Sequence, residues 1–418
     1  MLSPPLEEID EARAASDPPQ HRRPRRSRWS KSQHHRRRRR VLAAVAVVLS
    51  VLLIWLSVSL GGALTNPALG SSYGARLAEW FREHGGASIV NWAENEWYSH
   101  HQPKIGGNLA PGTIHTPQAT TSTTTTPATA TVAHLPPPAP ITPLVSPAVA
   151  GEGQWSPAGR LVDGLPAVYQ TMLRPSAIHT SYVVGVAWMD TKLLHATLYS
   201  GSQIPGGGPF THTAPVSPAD ATSLVAAFNA GFLMSGAEGG YYTDGKTIDP
   251  LRTGGASFVV YKNGSATVGQ WGRDAAMSPD VVSVRQNLDL LVDNGQVVPA
   301  AYNASSTAWG ATLGNALYVW RSAIGVTADG ALVYIGGPGL DILDLGNLLV
   351  RAGAVRGMEL DINTDWVNFS TYRPTTATGQ ATAANGTELL SGMTGTPGRY
   401  FQSWWARDFI TLSAAGSR

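Results

Sequence analysis

The pattern of apolar and charged residues at the start of this 418-residue chain predicts a membrane-spanning helix. Residues 41–60 carry no charged side chain and are rich in Val, Leu, Ala and Ile. Twenty such residues in a helix span about 30 Å, the thickness of the hydrocarbon core of a bilayer. We therefore predict a transmembrane helix over residues 41–63. Cleavage as a signal peptide, after the small residues near 61–64, is the alternative.

The segment before this helix is strongly basic. Residues 1–40 hold 12 basic and 5 acidic side chains. A segment this polar cannot bury enough apolar surface to fold, so we expect a disordered tail. Positive residues beside a membrane helix stay in the cytoplasm. This rule predicts a single-pass protein of the cell membrane with a cytoplasmic N-terminus, an extracytoplasmic C-terminal domain and no nucleic-acid partner.

Two segments separate the predicted membrane helix from the main domain. In residues 64–105, Leu77, Trp80 and Phe81 recur at helical spacing, which predicts a juxtamembrane amphipathic helix. Its apolar face suits the membrane interface and packing on a protein surface equally well. Residues 106–150 consist largely of Thr, Pro, Ala and Ser, a composition typical of a disordered, semi-extended linker. The folded domain is then expected over residues 151–418.

Apolar runs separated by turn dipeptides predict that this domain is rich in β-hairpins. The turn signals are Asp244-Gly245, Asn263-Gly264, Asn294-Gly295 and Asp329-Gly330. The glycine of each pair supplies the positive φ that a tight hairpin turn needs. We also expect residues 182–189 and 193–199 to pair with each other across Asp190 and Thr191.

Two helices are predicted within the β-rich domain. Ser217 and Pro218 form an N-cap and first-turn pair, which predicts a helix through about Ala226. Residues 342–352 place their leucines on one side, and Gly353 is a typical C-terminal stop. Hairpins with segregated helices predict an α+β fold with a mixed, mostly antiparallel sheet, preceded by the single transmembrane helix and the disordered linker.

The composition removes several classes of chemistry. The absence of cysteine excludes disulfides, thiol nucleophiles and thiolate metal sites. No G-x-S-x-G or H-E-x-x-H motif occurs, and the main domain holds only His179, His195 and His212. The sequence thus indicates neither a serine triad nor a zinc site. It predicts no cofactor and leaves a divalent cation open.

Residues 355–368 carry the densest group of polar side chains in the domain. An extended strand would place the apolar residues 358, 360 and 362 on one face and Glu359, Asp361 and Asn363 on the other. The Cα atoms of Glu359 and Asp361 would then be about 6.5–7 Å apart. Two carboxylates at this spacing suit acid/base work in glycosidic cleavage or the binding of a hard cation. The alternative is an ordinary solvated strand face.

Two further polar residues stand in apolar surroundings. Arg321, inside an apolar run, is typical of an ion pair with a carboxylate or of an anion-binding site. Asn229 lies beside Gly231, a setting typical of a turn former or of a ligand-binding amide. The glycine-rich loop of residues 201–208 matches no P-loop or dinucleotide motif, so flexibility is its simpler explanation.

Several segments, taken in order along the chain, resemble motifs of the phosphodiester glycosidase family. The family motifs and their counterparts here are N-G-G-F-F (229–233), L-V-x-x-G (291–295), R-[ST]-A-I-G-[VI]-T-x-D-G (321–330), a helix followed by Gly-Ala (348–354) and A-L-N-L-D-G-G (357–363). The segment 321–330 matches closely. The ordered set covers roughly residues 180–370.

This resemblance implies an activity and roles for individual residues. Family members cleave a sugar–O–phosphate linkage at the anomeric carbon and leave a phosphomonoester. The resemblance would give Arg321 the phosphate, Asp361 an acid/base or sugar-orienting role, and Asn229 hydrogen bonds to substrate hydroxyls. Glu359 replaces a small residue or Asn and adds a second candidate catalytic carboxylate. Asn363 replaces a glycine and adds a candidate substrate-binding amide.

Two functions are therefore predicted. The first is a membrane-anchored hydrolase that cleaves glycosyl phosphodiester linkages in cell-envelope polysaccharide. The second is a catalytically inactive domain that binds an envelope glycan or organises its assembly. The second follows from the replacement of the family's Gly-Gly by Ile362-Asn363, since glycines at such positions allow close approach of a ligand. Convergence of the candidate residues in one pocket would favour the hydrolase.

Overall fold

The computed structural model describes residues 29–70, 72–100, 102–110, 113, 133–303, 309, 318–362, 364–376, 379–393 and 397–416. The chain divides into a first unit up to Gly61 and a second unit from Gly62 to Arg418. Helix α1 (Trp29–Thr65) accounts for the described part of the first unit. Its segment His35–Thr65 is, among the described residues, the one helix long and apolar enough to cross a membrane. The predicted disordered tail lies outside the described residues up to residue 28, but residues 29–40 are helical, as part of α1, so the prediction is wrong for them.

Two short helices follow in the segment predicted to be amphipathic. They are α2 (Tyr73–Phe81) and α3 (Ala87–His100), joined by a kink at Arg82–Gly86 where His84 and Gly85 have non-helical backbone angles. The hydroxyl of Ser72 caps α2 by accepting from a backbone N–H of its first turn. Trp80, on the apolar face of α2, is buried.

The rest of the second unit consists mainly of strands. The described residues form β1 (Ser156–Val162), β2 (Leu165–Leu173), β3 (Val184–Met189), β4 (Leu194–Tyr199), β5 (Leu224–Asn229), β6 (Tyr241–Thr243), β7 (Lys246–Asp249), β8 (Ala256–Tyr261), β9 (Ala266–Gln270), β10 (Val281–Gln286), β11 (Leu290–Asp293), β12 (Gln296–Val297), β13 (Val319–Thr327), β14 (Leu332–Leu340), β15 (Ala354–Glu359), β16 (Phe369–Tyr372), β17 (Gly386–Glu388) and β18 (Phe409–Ala414). Helix α4 (Ile342–Arg351) connects β14 to β15. Short 3-10 turns occur at Pro67–Leu69, Asp220–Thr222, Met234–Gly236, Pro299–Tyr302, Ala383–Asn385 and Arg399–Phe401.

These strands form three sheets. The large sheet has eight strands in the order β1-β2-β3-β14-β13-β15-β11-β12. The two smaller sheets have the orders β7-β6-β10-β8-β9 and β17-β16-β5-β18-β4. Neighbouring strands pair antiparallel in all three. The predicted α+β class, with mostly antiparallel sheets and segregated helices, is confirmed.

The large sheet is covered on both faces. On one face, the leucines of α4 pack against apolar side chains of β13 and β14. On the other, Tyr334 of the large sheet packs with Phe228 and Phe258 of the smaller sheets. Because β13 and β15 lie between these two layers, polar groups at their ends are removed from water.

The predicted hairpins and the second predicted helix are confirmed. Each of the four turn dipeptides joins two paired strands: β6 to β7, β8 to β9, β11 to β12, and β13 to β14. Helix α4 ends one residue before Ala352, and Gly353 follows with a φ of 92°. Local turn chemistry was therefore a sufficient guide at these places.

The predicted pairing of residues 182–189 with 193–199 is wrong. β3 lies inside the large sheet, where β2 and β14 already occupy both of its edges. β4 instead pairs with β18 in a different sheet. Between the two strands, the Asp190 side chain accepts from the N–H groups of Lys192 and Leu135, at 2.8 and 2.7 Å, and turns the chain away.

The helix predicted from Ser217 to Ala226 is also wrong. Ser217 does act as a cap, since its hydroxyl accepts from the Asp220 N–H at 3.1 Å, but only a 3-10 turn follows. The apolar run then forms β5, which is buried between β16 and β18. The hydrophobic pattern of a short apolar run that is buried on both faces fits a helix and a strand equally well.

Part of the predicted linker packs on the β-rich domain. Leu135 and Ile141 are buried in the core beside α4, and the Ile141 N–H donates to the Gly153 carbonyl oxygen at 2.9 Å. Near the other end of the linker, the Gly106 N–H donates to the Ile178 carbonyl oxygen at 2.7 Å. The folded domain thus includes residues before 151, and the Thr-rich centre of the linker, 114–132, lies outside the described residues.

Candidate active site

The two candidate carboxylates lie where β15 ends, in the protein interior. Glu359 is the last residue of β15, and the chain continues as Leu360 and Asp361 alongside Ser322 of β13. The Leu360 N–H donates to the Ser322 carbonyl oxygen, and the Ser322 N–H donates to that of Asp361, both at 2.8 Å. Glu359 is 0% exposed and Asp361 is 4% exposed. The alternative of a solvated strand face is therefore wrong.

Arg321 forms a buried ion pair with Glu359. Glu359 lies opposite Ala323 in the β13–β15 ladder, so Arg321 is two residues away on the same face. Arg321 Nη1 donates to Glu359 Oε1 at 2.6 Å, and Nε donates to the Leu340 carbonyl oxygen at 3.1 Å. Of the two alternatives left open for Arg321, the structure supplies the ion pair with a carboxylate.

The environment of Glu359 shifts its protonation. Burial raises the pKa of Glu359 to about 7, against the opposing effect of the Arg321 charge. Among the described residues, Glu359 Oε2 has no hydrogen-bond partner. A carboxyl with this pKa exists in both protonation states near neutral pH, as a group that takes up or releases a proton must.

Asp361 is fixed by its own segment and by β13. Its Oδ1 accepts from the Ile362 N–H at 2.8 Å, and its N–H donates to the Ser322 hydroxyl at 3.2 Å. Burial lowers the pKa of Arg407, and the negative charge of Asp361 opposes this shift. Burial raises the pKa of the Tyr334 phenol, and the charge of Asp361 adds to that shift. The arrangement places a carboxylate near a guanidinium in the protein interior.

Asn229, the last residue of β5, joins three strands around this point. Its Nδ2 donates to the Ser322 hydroxyl at 3.0 Å. Its Oδ1 accepts from the Tyr334 hydroxyl at 2.9 Å and from the Asn368 N–H at 3.1 Å. The amide therefore holds Ser322, which in turn holds Asp361.

Four of the five predicted site residues lie around β13, in two sets of contacts. Arg321 is bonded to Glu359, whereas Asn229 and the Asp361 N–H are both bonded to Ser322, the next residue. Asn363 lies outside the described residues.

Sequence reasoning missed a second buried ion pair beside this cluster. Arg285 of β10 donates through Nε to Asp408 Oδ2 at 2.6 Å, and both side chains are buried. Next to it, Asn287 Nδ2 donates to the Glu359 carbonyl oxygen at 2.9 Å, and its Oδ1 accepts from the Phe232 N–H at 3.1 Å. An Arg in the apolar run of β10 is the same signal that singled out Arg321.

These neighbours favour glycine in the Asn-Ala-Gly-Phe segment. A Cβ added at Gly231 would lie 3.1 Å from Asn287 Oδ1 and 3.2 Å from Arg285 Cζ. Such contacts are tighter than ordinary van der Waals packing. The glycine therefore allows this loop to approach the buried Arg285.

Two more buried arginines, Arg399 and Arg407, were also missed. The Arg407 guanidinium lies over the Trp366 ring at 4.3 Å from its centroid, and that of Arg399 lies over Trp405 at 4.2 Å. Arg399 Nη1 also donates to the Asp365 carbonyl oxygen at 3.0 Å. The available sequence signal for Arg407 was a charged pair, Arg407-Asp408, directly before the apolar β18.

A cleft of about 480 Å³ lies elsewhere, between β4 and the sheet of β6, β10 and β8. Its lining includes Thr197, His212, Thr243 and Ser283, and none of the predicted site residues. Among the described residues, no group of three or more His, Asp or Glu side chains is arranged to hold a metal ion. The buried cluster around Asp361 therefore remains the candidate active site on chemical grounds.

Comparison with known proteins bears directly on this cluster. Residues 222–361 match the family model described as phosphodiester glycosidase. The matched segment includes Asn229, Arg321, Glu359 and Asp361, and the resemblance found in the sequence is confirmed. Arg407 lies beyond it.

Solved structures give more distant similarities. The catalytic domain of zebrafish N-acetylglucosamine-1-phosphodiester alpha-N-acetylglucosaminidase, auto-inhibited by its pro-peptide, is 16% identical over 62% of this chain and 87% of that one, with a TM-score of 0.39. A hypothetical protein from Synechocystis is 12% identical over 62% and 64% of the two chains, with a TM-score of 0.32. A putative exported protein from Burkholderia pseudomallei is 14% identical over 57% and 75%, with a TM-score of 0.31. A search of curated proteins gave no match.

Proposed function

We propose that this protein is a membrane-anchored hydrolase that cleaves glycosyl phosphodiesters, with Asp361 as the carboxylate at the reacting centre. The observation that carries the proposal is that Asp361 lies within the segment that matches the phosphodiester glycosidase family. It is buried, fixed through Ser322 and Asn229, and electrostatically coupled to a guanidinium. These contacts hold the Asp361 backbone, and the Ile362 N–H donates to its Oδ1, so the residue is positioned before substrate arrives.

The reaction breaks the bond between the anomeric carbon and the phosphate oxygen. A water molecule adds its oxygen to that carbon and loses a proton, and the phosphate departs as a monoester. Asp361 would accept the proton of the water. The phosphate is a weak base, so its departure demands less help from an acid than that of an alcohol.

Glu359 suits an indirect role better than direct contact. It is 0% exposed and is bonded to Arg321, whereas Asp361 retains 4% exposure. We therefore assign Glu359 to positioning Arg321 and the end of β15. With a pKa of about 7, Glu359 can take up a proton near neutral pH, which lowers the negative charge near Asp361.

The anchor and the substrate source are part of the proposal. The apolar length of α1 and the basic residues before it support an uncleaved anchor over residues 41–63 with the N-terminus in the cytoplasm. The second unit would then be extracytoplasmic, with cell-envelope polysaccharide as its substrate. Protease access in intact cells tests this topology: digestion of the second unit from outside is expected, and protection from external protease would contradict it.

A catalytically silent glycan-binding domain is the second candidate. It is favoured by one observation: Ile362 stands where the family motif has a glycine, and it packs against the core beside α4. A side chain there takes space that a glycine would leave to a ligand.

Hydrolysis assays separate the two candidates. Full-length protein in detergent is incubated with a synthetic N-acetylglucosamine 1-phosphodiester and with UDP-N-acetylglucosamine, beside Asp361→Asn and the control Asp365→Asn. Asp365 is close in sequence and only partly buried. Turnover that Asp361→Asn abolishes and Asp365→Asn retains supports the hydrolase. Saturable glycan binding without turnover would establish the silent domain instead.

A further inference from the structure

The buried arginines near the candidate site differ in how their charge is satisfied. Arg321 is bonded to Glu359 and to the Leu340 carbonyl oxygen. Arg285 is bonded to Asp408 and, through Nη1, to the Gln286 carbonyl oxygen at 2.6 Å. Both guanidinium groups are therefore hydrogen-bonded to acceptors of the protein itself.

The Arg407 guanidinium has no such hydrogen-bonded acceptor among the described residues. It is 8% exposed, and its buried Nη1 has no hydrogen-bond partner among the described residues. None of the ion pairs formed by the described residues includes it. Burial lowers the pKa of Arg407, although nearby Asp361, Glu79 and Asp408 favour the charged form. A buried cation without a hydrogen-bonded partner is costly, and a bound anion would remove that cost.

The backbone around Arg407 is fixed by the glycine-rich loop. The Ser202 N–H donates to the Trp405 carbonyl oxygen at 2.8 Å, and the Ile204 N–H donates to that of Ala406 at 2.9 Å. A Cβ added at Gly201 would lie 2.2 Å from the Ala406 oxygen, so only glycine fits. Close approach to the chain before β18, and not flexibility, explains this glycine. Together with the stacking on Trp366, the loop sets the direction of the guanidinium before any ligand binds.

We propose that Arg407 is the phosphate-binding residue of this protein. This inference rests on the proposed function for the identity of the substrate. It assigns phosphate binding to a residue outside the matched segment. The family resemblance had implied that Arg321 binds the phosphate. Guanidinium groups suit phosphate because two N–H groups meet two oxygens in one plane.

Helix α2 contributes a carboxylate to the same place. The carboxylate of Glu79, in α2, opposes the lowering of the Arg407 pKa by burial. A Cβ added at Gly70, just before α2, would lie 3.4 Å from Asp365 Oδ2. Of the two predicted settings for this amphipathic segment, the membrane interface and a protein surface, this contact corresponds to the second. Phosphate and the Glu79 carboxylate are both negatively charged, so Glu79 weakens the binding of phosphate to Arg407.

Phosphate binding to the full-length protein tests the assignment without requiring turnover. Titration calorimetry with inorganic phosphate, at constant ionic strength, compares wild type, Arg407→Gln and the control Arg399→Gln. Arg399 matches Arg407 in burial and in stacking on a tryptophan, but it has a carbonyl partner. We expect Arg407→Gln to weaken phosphate binding about tenfold or more, the size of a lost charge-assisted contact, and Arg399→Gln to change it less than about threefold.

The stability of the variants gives a second readout. Because no described residue is hydrogen-bonded to the Arg407 guanidinium, Arg407→Gln should leave the melting temperature unchanged or raise it, whereas Arg399→Gln should lower it. If Arg407→Gln fails to fold, phenylglyoxal labelling of wild type replaces it. Phosphate should then slow modification of the peptide that carries Arg407 more than that of Arg399. Equal effects at both positions, or none at Arg407, would overturn the assignment.

The two proposals fail in distinguishable ways. Phosphate binding that depends on Arg407, with no turnover of any phosphodiester, contradicts the hydrolase and supports the anion site. Turnover with an unchanged KM in Arg407→Gln supports the hydrolase and contradicts the anion site.

Discussion

Ser322 and Asp361 are joined by three hydrogen bonds. The Ser322 N–H donates to the Asp361 carbonyl oxygen at 2.8 Å, the Asp361 N–H donates to the Ser322 hydroxyl at 3.2 Å, and that hydroxyl donates back to the same carbonyl oxygen at 3.3 Å. The contacts continue the β13–β15 pairing beyond the end of β15. They fix the backbone of Asp361, which carries the candidate catalytic carboxylate, to a central strand of the large sheet.

Replacing Ser322 with alanine should therefore reduce both stability and turnover. The change leaves Asn229 Nδ2 and the Asp361 N–H without their shared acceptor in the interior. Unfolding by denaturant should show a loss of about 1–3 kcal/mol in the free energy of unfolding. The control Ser283→Ala removes a buried hydroxyl bonded to Thr243, away from the site. It should lower stability with kcat unchanged, and an equal loss of kcat in both variants would contradict this role of Ser322.

The ionisation of Glu359 predicts how stability depends on pH. Its folded pKa of about 7 lies above its ordinary value of 4.5, so the folded state binds a proton more tightly than the unfolded state. The contribution of Glu359 to stability is thus fully present below pH about 4.5 and is lost as pH rises towards about 7. Glu359→Gln should remove this decline, as measured by denaturant unfolding at several pH values. A decline of the same size in the variant would show that another group is responsible.

The crowding at Gly231 predicts a sharp difference between two glycines in one loop. Gly231→Ala forces a methyl group against Asn287 and the Arg285 guanidinium. Overpacking of this kind costs about 1–3 kcal/mol, and we expect it to lower turnover as well because Asn287 is bonded to the end of β15. At Gly236 an added Cβ meets nothing within 4 Å, so Gly236→Ala should be nearly neutral. Thermal unfolding of the two variants measures the difference, and equal melting temperatures would contradict it.

The charge of Glu79 predicts an effect of α2 on phosphate binding. Glu79→Gln removes a carboxylate that acts on Arg407, so phosphate should bind about two- to tenfold more tightly. Glu83→Gln serves as the control because Glu83 is exposed and does not act on Arg407. Calorimetry with inorganic phosphate measures both variants. An unchanged affinity in Glu79→Gln would mean that α2 does not influence the site.

The sequence predicted features that depend on neighbouring residues and missed those that depend on distant ones. Each Asn-Gly or Asp-Gly turn contains its own reason, and these hairpins are confirmed. The pairing of β4 is set by β18, more than two hundred residues later, and nothing in the intervening turn reveals it. The short connection between β3 and β4 was therefore misread as a hairpin.

The same limit applies to the candidate site. Arg321 and Glu359 stood out because a charged residue in an apolar run is conspicuous. Arg285 carries the same signal, but its partner Asp408 is 123 residues away, so the sequence could not show which carboxylate it meets. Nor could it distinguish Arg321, which is bonded, from Arg407, which has an unbonded buried nitrogen, because only the folded chain brings the partners together.

The fastening of the Thr/Pro-rich stretch at both ends changes what that stretch can do. Before it, Gly106 and Gly107 are bonded to Ile178 and Thr180, and after it Leu135 is bonded to Asp190. Both ends of the stretch are thus fastened to the β-rich domain. Inserting residues between these ends would not lengthen the chain between α1 and Gly106. A protease cut within it would likewise leave two fragments still held together by these contacts and by those around α2.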